Sequence, residues 1–210
     1  MRRTMAKAAL MTALNLGAFA LFGTALLAFI YNQTHERIEQ SVEEEKLKLI
    51  SQILPRNLYD NDIIKDTKEI APDPLLGNEG KTTAYRARLQ GKSSVVVLEA
   101  VAPDGYSGKI YMLIAIRENG ELAGVRVVSH KETPGLGDYI DIAKSDWIRG
   151  FDGKSTAQYN DQDWKVKKDG GKFDYMAGAT ITPRAVVKAV HKALQYFALH
   201  HDQLFSGASK

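Results

Sequence analysis

One stretch of 23 residues near the N-terminus, 8–30, contains no charged side chain. As an α-helix it would be roughly 34 Å long, which is enough to cross a hydrocarbon core of about 30 Å. Polar residues interrupt it at Thr12, Asn15 and Thr24, and a span that packs against other helices tolerates them. The sequence therefore predicts a membrane-spanning helix at residues 8–30, preceded by a short segment at residues 1–7.

The charges on the two sides of this span predict its orientation. Three basic residues lie within residues 1–7, whereas five glutamates lie within residues 36–45. Because the basic end of a span stays in the cytoplasm, we expect the main domain outside it. A cleaved signal peptide is the alternative, with residues 18–20 as the cleavage site. Cleavage there would leave the apolar residues 21–31 as an N-terminus in water, which favours an uncleaved anchor.

The charge balance and the lack of cysteine exclude several classes of function. The net charge is +3, and Arg2, Arg3 and Lys7 account for it, because the remaining chain holds 25 basic and 25 acidic residues. This balance gives no reason to expect nucleic-acid binding. Without cysteine the chain has no disulfide, iron–sulfur ligation or thioether-linked haem. Any redox cofactor must therefore be held by other groups.

Periodicity beyond the span predicts an α+β fold. Residues 34–54 keep one apolar side and predict a helix that continues away from the membrane, whereas residues 57–81 predict a loop with at most one short element. An Asn-Gly hairpin turn at 119–120 supports an antiparallel sheet. The predicted strands are 82–89, 94–100, 109–117 and 122–129. The predicted domain organisation is a membrane-proximal helix and loop at 31–80, a domain at 81–205 and a tail at 206–210.

The C-terminal third of the predicted domain combines short elements with one long helix. We expect a short helix at 142–151 with Trp147 on its buried side, a strand at 163–166 and a polar hairpin tip at 167–172. An apolar helical face then predicts a last helix that frays from His200 onward. The residues of this face are Val186, Val190, Ala193, Leu194 and Phe197.

A turn of small residues leads into that last helix at 174–184, which is Asp-Tyr-Met-Ala-Gly-Ala-Thr-Ile-Thr-Pro-Arg. Gly178 and its alanine neighbours leave room for a bulky group near the backbone. Thr182 before Pro183 predicts a helix N-cap, and a helix N-terminus favours a phosphate group. On spacing alone the stretch is a well-capped helix start. Thr180 then presents a hydroxyl beside the predicted anion site.

A second loop of interest, His-Lys-Glu-Thr-Pro-Gly-Leu-Gly-Asp, follows the last predicted strand at 130–138. Loops with two glycines at a strand end often receive ligands, although an ordinary Pro-Gly turn explains the pattern equally well. His130 has no metal-ligand spacing around it, so we interpret it as structural rather than as a ligand or proton relay.

The turn at 174–180 resembles the flavinylation motif of the FMN-binding domain family. That motif is an aspartate, two variable residues, a small residue and Gly-Ala-Thr, and the chain matches it at Asp174, Ala177, Gly178, Ala179 and Thr180. In the family a separate flavin transferase esterifies the threonine to the phosphate of FMN. The resemblance implies one covalent FMN on Thr180, with Thr182 as the competing hydroxyl. Ala177 stands where the family often has Ser or Thr, a departure that should not block modification.

The second loop is similar to the Glu-Thr-Pro-Gly-Leu-Gly loop that packs on the flavin ring in this family. The resemblance implies flavin contacts from Glu132, Thr133, Leu136 and Gly137. Leu136 would offer an apolar surface to the ring, and backbone N–H groups would bond its polar edge.

The continuation Ile-Thr-Pro-Arg-Ala-Val-Val at 181–187 resembles one branch of this family, the G subunits of Rnf electron-transport complexes. The C subunit of the sodium-pumping NADH:quinone reductase shares Gly-Ala-Thr but is usually longer. The resemblance implies an electron-relaying component of an ion-translocating ferredoxin:NAD oxidoreductase in the bacterial inner membrane. It also implies the other components of the complex as partners and no catalytic residue of its own. A membrane-tethered adaptor without a redox group and an extracytoplasmic sensor domain stay open as alternatives.

Overall fold

A computed structural model describes residues 2–206; the side chains of residues 2–4, 36, 39, 40, 42, 43 and 45 lie outside that description. The predicted tail lies outside it as well, apart from Ser206. The chain divides into two compact units, Met1–Glu45 and Lys46–Lys210.

Helix α1 runs without a break over Arg2–Ile53. Its residues up to Glu45 form the described part of the first unit, and its last residues belong to the second unit. It includes both predicted helical segments. Within the described residues, Met5–His35 is the one stretch that is long and apolar enough to cross a membrane, judged by length and composition. Its large apolar side chains are exposed, as expected for a surface that lipid would cover; Phe19 is 78 % and Leu21 is 74 % exposed.

The second unit is built on a five-stranded antiparallel sheet in the order β1-β2-β3-β4-β5, which confirms the predicted α+β class. Strands β2 and β5 have the predicted bounds, β4 begins one residue earlier, and β3 is longer than predicted at both ends. Strand β1 is the short element of the predicted loop. The strands are β1 (Thr67–Ile70), β2 (Thr82–Leu89), β3 (Lys92–Gly105), β4 (Gly108–Arg117) and β5 (Leu122–Ser129).

Both faces of the sheet are covered, which explains the continuous apolar run in β3. Val95 and Val97 point to the face covered by Leu49, Ile50 and Ile53 at the end of α1 and by Leu54 directly after it. Val96 and Leu98 point to the opposite face, where they pack with helix α2 (Ile181–Phe205). A strand buried on both faces needs no alternation of polar and apolar residues.

Of the sequence predictions in the C-terminal third, the short helix is confirmed in part and two others are wrong. The short helix is a 3₁₀ helix at Asp146–Phe151 whose buried residues are Ile148 and Phe151, whereas Trp147 is half-buried and covers neighbouring rings. Residues 163–166 form no strand, and Val166 makes only an isolated bridge to Phe173. Helix α2 continues through His200 to Phe205, because Leu204 and Phe197 still pack into the core there. Further 3₁₀ turns lie at Arg56–Leu58, Gly137–Ile140 and Lys167–Asp169.

Candidate cofactor site

The two loops singled out in the sequence meet in one cavity of about 370 Å³. Its volume falls within the range of about 300–1,000 Å³ that is common for small-molecule sites. The cavity brings together eight of the nine predicted site residues; Ala177 is exposed and does not line it. Tyr106 and Ile181 complete the wall. The predicted residues that line it are Glu132, Thr133, Leu136, Gly137, Gly178, Ala179, Thr180 and Thr182.

Helix α2 begins one residue earlier than the predicted N-cap, so the interpretation of Thr182 as that cap is wrong. Thr182 lies in the first turn and is buried, and its hydroxyl donates to Oε2 of Glu132 at 2.5 Å. Thr180 occupies the cap position, but its backbone is helical and its side chain makes no capping bond. Of the two threonines at the helix start, Thr180 is therefore the one whose hydroxyl is left open at the cavity, because that of Thr182 bonds to Glu132.

The first turn of α2 also offers backbone donors beside Thr180. Pro183 has no N–H group, and the N–H of Arg184 bonds to the carbonyl oxygen of Thr180 at 3.4 Å. The N–H groups of Ile181 and Thr182 have no partner within residues 2–206. Unpaired N–H groups and the positive end of the helix dipole favour a phosphate at this position. The residues present thus fit a phosphate ester on Thr180.

Glu132 is a buried carboxylate that connects three separate segments at the back of the cavity. It is 4 % exposed. Its Oε1 accepts from the backbone N–H of Ser107 at 3.0 Å, in the turn between β3 and β4. Its Oε2 accepts from Thr182 in α2, so one side chain joins the strand turn, the 132–137 loop and the helix start. The ring nitrogen Nδ1 of His130 accepts from the N–H of Glu132 at 3.0 Å, consistent with the structural interpretation of His130.

Two glycines make room for this carboxylate. A Cβ at Gly137 would lie 2.7 Å from Oε2 of Glu132 and 2.8 Å from the Thr182 hydroxyl. A Cβ at Gly105 would lie 2.9 Å from Oε1 of Glu132 and 2.3 Å from the carbonyl oxygen of Gly108. Distances this short leave no room for a side chain: at Gly137 the carboxylate and the Thr182 hydroxyl impose this limit, and at Gly105 the carbonyl oxygen of Gly108 imposes it together with the carboxylate.

The 132–137 loop is closed by its own backbone bonds. The N–H groups of Leu136 and Gly137 both donate to the carbonyl oxygen of Thr133 at 3.1 Å, and that of Gly135 donates to Oδ1 of Asp138 at 2.8 Å. The resemblance implied that backbone N–H groups of this loop would bond a flavin. These three N–H groups instead donate to the Thr133 carbonyl oxygen and to Asp138. The loop instead presents the side chain of Leu136, which is 47 % exposed, at the wall of the cavity.

Two aromatic side chains hold the segment that precedes Gly178. The hydroxyl of Tyr139 accepts from the N–H of Met176 at 3.2 Å, and Nε1 of Trp147 donates to the carbonyl oxygen of Asp174 at 2.8 Å. The two rings pack edge to face, with centroids 5.4 Å apart. Burial raises the pKa of Tyr139, so its phenol stays protonated near neutral pH. At Gly178 itself, φ is +89°, a left-handed conformation that favours glycine.

Tyr106, in the turn between β3 and β4, is the one aromatic residue that lines the cavity among residues 2–206. It is 68 % exposed. The glycines at 105 and 108 indicate a tight turn around Tyr106. The local sequence does not indicate which loop this turn faces. Together with Leu136 and Ile181, which are 47 % and 46 % exposed, it gives the cavity an apolar rim.

An open hydroxyl at a helix N-terminus beside an apolar-rimmed cavity fits a phosphate-bearing cofactor with an apolar ring. Residues 105–195 match the FMN-binding domain family, and residues 1–53 match the RnfG N-terminal region.

The chain is similar over nearly its whole length to several named proteins. It is 49 % identical to the G subunit of the ion-translocating oxidoreductase complex of Pseudomonas aeruginosa, over 98 % of this chain and 94 % of that protein. The corresponding G subunit of Vibrio cholerae is 43 % identical, over 90 % of each chain. The chain therefore belongs to the family of G subunits of ion-translocating oxidoreductase complexes, and the resemblance found in the sequence is confirmed.

Among solved structures, the C subunit of a Na⁺-translocating NADH-quinone reductase from Parabacteroides distasonis gives a TM-score of 0.45 at 18 % identity. The similarity covers 81 % of this chain and 98 % of that chain. A likeness this distant carries no weight for fold or function.

Proposed function

We propose that this chain carries electrons within a membrane-bound ion-translocating oxidoreductase complex, through one FMN esterified to Thr180. The observation that carries the proposal is the free hydroxyl of Thr180 at the cavity, in a chain that belongs to the G-subunit family. The FMN-binding domain at residues 105–195 supplies the identity of the cofactor.

Thr180 is a better attachment residue than Thr182, which stays the competing candidate. Thr182 is 1 % exposed and its hydroxyl is committed to Glu132. Esterification there would break that hydrogen bond and bring phosphate charge against a buried carboxylate, which is costly at low dielectric constant. Thr180 is only half-buried and requires no such rearrangement.

The remaining residues of the cavity position the cofactor. The N–H groups of Ile181 and Thr182 would hold its phosphate, Leu136 would cover an apolar part of the ring, and Gly178 and Ala179 would leave space beside the attachment residue. FMN takes up and releases one or two electrons, so the protein needs to supply position and electrostatic environment rather than an acid–base group. Covalent attachment prevents loss of the cofactor outside the cytoplasm.

We also propose a membrane topology and a set of partners for this chain. The helix at Met5–His35 is an uncleaved anchor in the bacterial inner membrane, with the N-terminus in the cytoplasm and Lys46–Lys210 on the outer side. The partners are the other components of the complex, and a flavin transferase attaches the cofactor. The exchange of electrons between ferredoxin and NAD belongs to the whole assembly.

The attachment is tested by producing the chain together with a flavin transferase and examining the denatured protein on a gel. We expect flavin fluorescence on the band for the wild type and for Thr182→Val, and none for Thr180→Val. A folded wild-type protein without fluorescence would favour the adaptor or sensor alternative. Protease added outside the cytoplasmic membrane should degrade the Lys46–Lys210 unit, and full protection of that unit would contradict the proposed orientation.

A further inference from the structure

We propose that Glu132 lowers the reduction potential of the bound FMN by keeping in the wall of the cavity a negative charge that has no cationic partner among residues 2–206. This inference rests on the proposed function, because it requires FMN at this site. It assigns to Glu132 a role beyond that of a contact residue.

The hydrogen bonds of Glu132 are those of an ionised carboxylate. Both oxygens face donors, the N–H of Ser107 at 3.0 Å and the hydroxyl of Thr182 at 2.5 Å. Hydroxyl-to-carboxylate bonds of about 2.5–2.7 Å are typical of a charged acceptor. The side chain is 4 % exposed, so water does little to screen this charge.

Neutral donors, rather than a cation, accompany this charge. Within residues 2–206 Glu132 makes no ion pair. The groups that face it from the neighbouring segments are the Ser107 N–H, the Thr182 hydroxyl and, through its own N–H, the ring of His130. The nearby Asp138 adds a second buried acid, which accepts from Gly135. Hydrogen bonds distribute the charge of Glu132 without cancelling it.

The surrounding backbone is shaped to keep the carboxylate in this position. Gly105 and Gly137 come from different segments, and at each a Cβ would lie within 2.9 Å of a Glu132 oxygen. At Gly137 the short contacts are all with Glu132 and Thr182, whereas at Gly105 a Cβ would also meet the carbonyl oxygen of Gly108 at 2.3 Å. The arrangement therefore preserves a charge beside the cavity although its burial is unfavourable.

A fixed negative charge disfavours the addition of electrons to a nearby group. The effect is large where water is excluded, and charge near the ring is one of the ways in which a protein tunes a flavin. Removal of the charge with its shape preserved, as in Glu132→Gln, should therefore raise the midpoint potential. We expect an increase of about tenfold or more in the ratio of reduced to oxidised FMN at a fixed potential, which is about 30 mV for a two-electron couple.

The test is a spectroelectrochemical titration of the full-length, flavinylated protein in detergent. Glu132→Asp keeps the charge and should stay near the wild-type potential, whereas Glu132→Gln should shift upward. The matched control is Glu99→Gln, which removes one carboxylate from the opposite face of the sheet, where Glu99 pairs with Lys46 at 2.8 Å. It should leave the potential unchanged.

A second variant keeps the inference testable if Glu132→Gln does not fold. Thr133→Lys leaves Glu132 and its buried bonds in place and tests whether charge on this wall affects the FMN; the potential should rise, and an unchanged potential would overturn the inference. Equal potentials in all flavinylated variants would overturn the role of Glu132 and leave the proposed function intact. Absence of FMN from the wild type would instead contradict the proposed function itself.

Discussion

The hydroxyl of Thr182 donates a 2.5 Å hydrogen bond to the carboxylate of Glu132, 50 residues earlier in the chain. This bond joins the first turn of α2 to the loop at 132–137 and so fixes the two sides of the cavity relative to each other. It also separates the roles of two threonines, because Thr182 is engaged in the structure while Thr180 stays free at the cavity.

Loss of this bond should reduce stability without removing the cofactor. Thr182→Val leaves one oxygen of a buried carboxylate without a donor, and we expect a loss of about 1–3 kcal/mol in the free energy of unfolding. Urea denaturation with an unchanged m-value would measure it. Thr133→Val, at an exposed threonine of the same cavity, serves as control and should stay within about 0.5 kcal/mol of the wild type. Equal stability of the two variants would contradict the role assigned to the bond.

A side chain at Gly137 should disrupt the same contact sterically. In Gly137→Ala the new Cβ meets Oε2 of Glu132 at 2.7 Å and the Thr182 hydroxyl at 2.8 Å. Overpacking of this kind typically costs about 1–3 kcal/mol, and the displaced helix start should also slow flavinylation. Gly150→Ala, where a Cβ meets nothing within 4 Å, is the matched control. Thermal denaturation and the rate of fluorescence gain would compare them; a stable, rapidly flavinylated Gly137→Ala protein would refute the steric account.

Stability should fall as the pH is lowered through the range in which His191 titrates. Burial lowers the pKa of His191 below its ordinary value of 6.5, against an opposing effect of Asp161. The ring stacks on Trp164, with centroids 5.3 Å apart. As pH falls through 6.5, the unfolded chain binds a proton at this position before the folded one does, so the free energy of unfolding decreases.

His191→Phe keeps an aromatic ring against Trp164 and removes this proton. Urea midpoints at about pH 7.5 and about pH 5.5, on either side of the histidine range, should differ less for the variant than for the wild type. An identical pH dependence in both proteins would exclude His191 as its source.

The end of α1 should be indispensable to the second unit, whereas the part before Lys46 should not. A chain that begins at Lys46 retains the four buried residues that cover one face of the sheet, and we expect it to fold in solution without detergent. A chain that begins at Arg56 loses all four, each worth about 1.5–3 kcal/mol of burial, and should not fold cooperatively. Circular dichroism during thermal denaturation would distinguish them. Cooperative unfolding of the shorter chain would show that the contacts of residues 49–54 are dispensable.

The elements predicted most closely are those specified by local sequence. Strands β2 and β5 have the predicted bounds, and the Asn-Gly pair at 119–120 marks the turn between β4 and β5, as expected. Strand β1 could not be placed in advance, because Thr67–Ile70 has one buried side chain and an otherwise polar surface at the sheet edge. Its position depends on pairing with β2 rather than on its own pattern.

Most residues that line the cavity could be predicted from the sequence, but the contacts between them could not. The two loops were found separately, whereas their union in one cavity depends on the sheet and on α2. Thr182 has the sequence context of an N-cap, and only its contact with Glu132 moves its hydroxyl away from that role. A hydrogen bond across 50 residues leaves no trace in a local pattern. For the same reason Gly105 gave no indication that it borders the carboxylate.

Peptide mass mapping of the protein produced with its flavin transferase tests whether FMN is attached to Thr180. We expect a single FMN, joined through its own phosphate, on the peptide that contains Gly178, Ala179 and Thr180, with fragment ions that locate it on Thr180. An unmodified peptide, or an adduct placed on Thr182, from material that carries an active transferase would contradict attachment to Thr180.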